Sequence, residues 1–208
     1  MRIICMLGKR GLARAVASAA LFWACATPAQ ARDPSLDAVK AATAKYRNVK
    51  VAIAEGFRTD GKCMSAAMIG YPAAQGAMGL HYVRKDLIGI QPPPPGHRVS
   101  GTGTHTDFLK PSMLVYEPQA DGSLKLAAVE NLVFQSAWEE AGHKSPPNFH
   151  GARYVLLKDD PTTAVDEAHH YEPHYELHVW LYRHNPNGIF AEFNPRVTCS
   201  HSESFKPM

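Results

Sequence analysis

From residue 77 onward, apolar and polar positions alternate with a period of two in several short runs. "MGLHYVR", "SMLVYEP", "SLKLAAVENLVF", "ARYVLL" and "YELHVWLYRH" are rich in Val, Leu and Tyr, residues that suit a pleated, half-buried surface. Between two of them "PQADG" predicts a hairpin loop in which Gly122 takes a positive φ. Only "SAWEEAGHK" interrupts the strands, as a short helix ended by Gly142. Ahead of them the spacing changes. Ser35 is placed as an N-cap, and Leu36, Val39, Thr43 and Tyr46 then recur at three- and four-residue intervals, the stripe of an amphipathic helix. "NVKVAIAEGF" fits either period, and Gly56 at its end favours a helix. Strands joined by short turns, with helices at the front, give an α+β class. The expected sheet is antiparallel, with curling into a partial barrel as one form open to it.

The first residues, "MRIICMLGKRGLARAVASAALFWACATPAQA", follow another logic. Arg2, Lys9, Arg10 and Arg14 form a basic start without an acid, and an apolar run continues to Ala26. That run is short for a bilayer core of about 30 Å. Ala29-Gln30-Ala31 is a small-x-small cleavage pattern. The expectation is a signal peptide over 1–31, cleavage near Ala31, and one globular domain over 32–208 in the periplasm or outside the cell. An uncleaved anchor and a lipid on Cys25 are the weaker alternatives, the second because bulky Trp23 precedes it.

Removing that segment changes the charge picture. It takes four of the 22 basic residues and no acid, leaving 18 against 19 acidic residues. A nearly neutral chain offers no basic stripe for phosphates, so nucleic acid is not an expected partner. No transmembrane span is expected either, and a small-molecule ligand is the remaining class of partner. Of four cysteines only Cys63 and Cys199 stay. In an oxidising compartment they most simply form a disulfide tying the start of the domain to its end. Closing so long a loop contributes up to about 4–5 kcal/mol in the chain-entropy model. A pair of metal-bound thiolates is the weaker alternative.

Candidate chemistry enters through charged residues at apolar positions. Five of eleven histidines fall between His169 and His184. A helical row of His170, His174 and His178 is ruled out by Pro173 inside it. On a strand, His174, Glu176 and His178 share one face. His178 is followed on that face by Trp180 and Tyr182, which suggests a lined cavity. His174, beside Pro173, is expected to be wetter; His169, His170 and His184 read as surface or turn residues. In "SLKLAAVENLVF" one face carries Leu124, Leu126, Ala128, Glu130, Leu132 and Phe134, so Glu130 is a lone acid among apolar neighbours. A buried carboxylate must be paired, metal-bound or protonated. Glu117 is in phase with Met113 and Val115, and His81 is mid-strand with Gly79 before it to allow close backbone approach.

His81, Glu117, Glu130 and His178 come from four strands and are the candidate metal ligands. Tyr82, Trp180 and Tyr182 are the candidate ligand pocket. Mixed imidazole and carboxylate donors suit Zn, Mn, Fe, Ni or Cu. The plainer alternative is a hydrogen-bonded core histidine beside an ordinary ion pair.

"GAMGLHYV", "LVYEP", "AVENLVF" and "LHVWLYRHNPNGIFAEFNPRVTC", with Cys63 ahead of them, resemble a family of uncharacterised secreted bacterial proteins. The resemblance implies that the four candidate ligands belong together; it carries no reaction with it. The proline run at 92–95 and "SGTGTHTD" lie outside the resembling pieces. Residues 89–111 read either as a lid over a pocket or as a surface excursion. "NPNGIFAEFNP" reads as architecture, with Asn-Pro turns and with Phe190 and Phe193 as pins.

No Gly-x-Ser-x-Gly, phosphate loop or His-Glu-x-x-His is present. The reading is therefore an exported protein with a His/Glu metal site in a sheet-lined pocket, catalytic or not. The alternatives are a non-catalytic ligand-binding module and a purely structural envelope domain.

Overall fold

The structure, a computed structural model, describes residues 32–204. The proposed signal peptide and its cleavage point lie outside the described residues. Helix α1 (Leu36–Thr43) begins where the Ser35 side chain accepts the Ala38 N–H at 3.1 Å, satisfying a donor that the first turn leaves open. A 3₁₀ turn (Ala44–Arg47) leads into α2 (Val49–Ala54), so the ambiguous "NVKVAIA" stretch is helical.

Strands β1 (Cys63–Ser65), β2 (Ala77–Val83), β3 (Met113–Pro118) and β4 (Leu124–Phe134) follow, with α3 (Lys85–Ile88) after β2 and α4 (Gln135–Glu140) after β4. A small hairpin, β5 (Asn148–Phe149) and β6 (Ala152–Arg153), precedes β7 (Val155–Leu157) and β8 (His174–Val179). The expected "ARYVLL" strand is thus split. Six strands form one antiparallel sheet in the order β1-β2-β3-β4-β8-β7, curled into a half-barrel. The β3–β4 hairpin turns at Gly122 with φ 78°, as its sequence requires.

Alternation along these strands separates two faces. One carries Leu80, Tyr82, Leu114, Tyr116, Val129, Val133, Tyr175, Leu177 and Val179, and packs on Val39, Tyr46, Ala52 and Phe57 from the helical segment. The Tyr116 hydroxyl donates to the Tyr46 carbonyl at 2.7 Å and fixes the two layers together. The opposite face has two apolar patches. Val83, Met113, Leu132 and Phe134 make one; Val115, Ala128 and Trp180 make the other. Between them are the charged residues described below.

One departure from simple alternation matters. Val115 pairs with Ala128 and Tyr116 with Leu126, so β4 holds one extra residue, Ala127. Such a bulge moves every preceding residue to the other side. Leu124 and Leu126 therefore join the helix-side core and do not share the face of Glu130. Gly79 is needed where it stands: a Cβ there would meet the Tyr116 carbonyl oxygen at 2.8 Å. Cys63 and Cys199 are disulfide-bonded with Cα atoms 5.6 Å apart, tying the edge strand to the C-terminal segment. No helix among the described residues is long and apolar enough to cross a membrane.

Candidate metal centre

Three of the four expected ligands meet. Glu130 on β4 and His178 on β8 are direct cross-strand partners. His81 on β2 reaches them across β3, two residues along from the Val83–Met113 pair, whose Met113 lies opposite Glu130. The Nε2 atoms of His81 and His178 each lie 3.2 Å from Glu130 Oε2 and 3.5 Å from one another. One ligand atom from each residue falls within 4.8 Å of the other two, so the group could hold a metal ion. Glu130 and His178 are 0% and 1% exposed, and His81 is 14% exposed.

The orientation of these groups is as informative as their distances. Neither oxygen of Glu130 receives an aligned hydrogen bond among the described residues, although two imidazole nitrogens are near it. A buried carboxylate left in that condition costs several kcal/mol, roughly, unless a cation or proton completes it. Burial opposes charging of His81, yet the Glu130 carboxylate outweighs it, aided by Glu176 and Asp60, and its pKa is raised. A local cation is therefore favoured at this point.

Surrounding groups hold the imidazoles in place. Trp180 stacks on His178 with ring centres 5.6 Å apart and planes within 9°, and its indole N–H donates to the Ala191 carbonyl at 2.6 Å. The far nitrogen of His178, Nδ1, lies 3.9 Å from Glu176 Oε1. This places a carboxylate behind the imidazole, the side from which a metal-bound histidine is usually oriented.

Glu117 does not join the group, which corrects the four-ligand expectation. It shares the face of Met113 and Val115, but stands four residues along β3 from the position opposite Glu130, about 13 Å at the usual rise of a strand. There it pairs with Arg183 at 3.6 Å and accepts the Thr198 N–H at 3.3 Å. Its buried charge is satisfied by the C-terminal segment.

The expected pocket is also corrected. A cavity of about 560 Å³ opens on the His81 side of the sheet, and Tyr82, Trp180 and Tyr182 are not on its wall. Tyr82 follows His81 directly, so the strand period turns it towards the helices, edge-on to Tyr116. Tyr182 lies beyond the end of β8, where the bulge carbonyl of Ala127 accepts the N–H groups of both Tyr182 and Arg183 at 3.1 Å. The chain turns there, and the Tyr182 hydroxyl donates to the Lys40 carbonyl at 2.8 Å. Trp180 supports His178 from inside the protein.

The real wall includes residues that sequence reasoning passed over: His169, Tyr171, His174 and Glu176. His174 is 1% exposed, not wetter than its neighbours, and its Nε2 lies 3.5 Å from Glu176 Oε2. Glu176 is buried; burial raises its pKa, but the His174 contact and the His178 and His169 rings lower it further, so it is held as a carboxylate. His169 is half-buried, not an ordinary turn residue. Burial, only partly offset by Glu176, lowers its pKa to about 4, so it is neutral near pH 7. His169 and His170 adopt φ of 52° and 67°, left-handed values uncommon for residues with a Cβ.

Part of the 89–111 segment closes the cavity. Ile90, Pro92, Pro93 and Val99 lie on its wall. The segment's base is pinned by the Ile90–Gly101 bridge, and Val99 pairs with Tyr171. Arg98 ties it further to Asp166 at 2.9 Å and to Asp159. It is a wall anchored at both ends. Further along the segment, His105 bonds the Lys110 carbonyl and Asp107 accepts the Leu109 N–H.

No family model, curated protein or solved structure matches this chain.

Proposed function

We propose that this is an exported metal-binding protein in which His81, Glu130 and His178 hold one divalent transition-metal ion at the floor of the ligand cavity. Two imidazoles and one carboxylate suit Zn, Mn, Fe, Ni or Cu, and leave coordination positions for water or a bound molecule. His81 supplies the link to the cavity, because it is the member of the group that lies on the wall. The observation that carries the reading is the Glu130 carboxylate, wholly buried with two Nε2 atoms at 3.2 Å and no aligned donor. The Cys63–Cys199 disulfide supports export, since such bonds persist in oxidising compartments.

Titration of metal-free protein with Co²⁺ tests the site. Visible d–d absorption should grow to a single equivalent in wild type and be absent in His81→Ala and His178→Ala. Identical spectra in wild type and both variants would overturn the assignment.

A further inference from the structure

Two residues of the cavity wall each carry a buried polar atom without a hydrogen bond, although Glu176 Oε1 also stands 3.9 Å from Nδ1, behind the His178 ring. Glu176 Oε1 and His169 Nε2 have no hydrogen-bond partner among the described residues, and both residues line the cavity. Glu176 is 4% exposed, so water outside the protein does not satisfy it. Leaving a polar atom buried in this way is costly unless a bound molecule completes it. A carboxyl oxygen accepts hydrogen bonds, and an imidazole nitrogen can donate or accept. A hydroxyl matches that pair because it has a hydrogen to give and lone pairs to receive.

The rest of the cavity limits what carries the hydroxyl. Met64, Ile69, Met113 and Leu132 supply apolar wall, and about 560 Å³ falls within the usual range for small-molecule sites. Exposed Arg58, Lys62 and Lys85 line its outer part. Asp60 stands among them, while Asp166 is paired with Arg98 at 2.9 Å, so the rim is net positive and disfavours a cation.

We infer that Glu176 and His169 form a ligand subsite that takes the hydroxyl of a small apolar molecule bearing no positive charge. The subsite extends the metal reading; because Glu176 stands behind His178, its variant is read in metal-free protein, and metal uptake is measured separately on wild type, so the two can fail separately.

Calorimetry with matched probes tests it: 4-hydroxyphenylacetate, phenylacetate and tyramine, each against metal-free and Zn²⁺-loaded protein. The hydroxylated acid should bind wild type roughly ten- to a hundredfold more tightly than phenylacetate, as completing an unsatisfied buried polar group warrants. Tyramine should bind more weakly than the hydroxylated acid. In metal-free protein, Glu176→Leu should erase the preference for the hydroxylated acid over phenylacetate. His169→Asn, which tolerates a left-handed backbone, should reduce the preference without touching Glu176. Equal binding of the two acids overturns the inference, as do tightest binding of tyramine, no measurable binding of any probe, or an unchanged preference in both variants. A hydroxyl preference in protein that takes up no metal would remove the metal reading alone; metal uptake without a preference would remove this one alone.

Discussion

The two faces of the sheet are built from the same strands and differ in what they bury. The helix side encloses Leu80, Tyr82, Leu114, Tyr116 and Val129 against helical residues; the Tyr116 hydroxyl is matched to the Tyr46 carbonyl, and atoms left without a partner there, such as the Tyr82 and Tyr154 hydroxyls, belong to neutral groups. The cavity side, one residue out of phase, buries Glu130, His174, Glu176 and His178 and leaves carboxylate oxygens of Glu130 and Glu176 without aligned donors. The first face stabilises the fold through apolar burial. The second carries a charge arrangement that weakens the fold unless something binds to it.

That contrast can be broken by substitutions on each side. On the helix side, Tyr116→Ala should cost about 3–5 kcal/mol through lost burial and an orphaned carbonyl, measured by urea unfolding. A loss under about 1 kcal/mol would contradict the assignment of this face as the main core. The disulfide holds both faces at their edge, and Cys63→Ser with Cys199→Ser should cost about 2–4 kcal/mol, read from the same experiment. Dithiothreitol should have the same effect on wild type and none on the double variant.

On the cavity side the sign reverses. In metal-free protein, Glu130→Leu should leave stability unchanged or raise it by about 1–3 kcal/mol, because a buried carboxylate without an aligned hydrogen bond is replaced by apolar volume. A destabilisation as large as that of Tyr116→Ala would show Glu130 to be an ordinary structural partner of the two histidines.

The smallest effect concerns Glu192, half-buried, with one oxygen unpaired. Burial, then the Glu176 charge, pushes its pKa up to about 7 from 4.5. The folded state therefore holds a proton that the unfolded chain releases. Its contribution is present below about pH 4.5 and is lost as pH rises through about 7. Glu192→Gln should be more stable than wild type at pH 8 by about 1 kcal/mol, allowing for solvent screening, and the difference should shrink towards pH 4.5. A constant difference across that range would assign the effect to something other than ionisation.

Much of this arrangement was legible in the sequence, for identifiable reasons. Glu130 stood out as one acid on an apolar strand, and period two placed His174, Glu176 and His178 together. Two failures share a cause, which is counting by two where the strand does not allow it. The Ala127 bulge shifts Leu124 and Leu126. β8 ends at Val179, so Tyr182 is not in phase with His178. Tyr82, adjacent to His81, obeyed the period and so had to face away. Glu117 was in phase, but phase reports the face and not the distance along it. His169 belongs to a turn with no period, and only the fold brings it to the cavity. Glu176 was seen on the right face; its value became apparent only from its missing partner.

The most direct test of the central claim is elemental analysis of untagged protein, with wild type and His178→Ala purified side by side and circular dichroism used to verify the fold of each. Wild type should carry a transition metal at close to one ion per chain, and folded His178→Ala should carry almost none. Equal metal content in the two, or none in wild type even after incubation with excess Zn²⁺, Mn²⁺, Fe²⁺, Ni²⁺ and Cu²⁺ in turn, would contradict it.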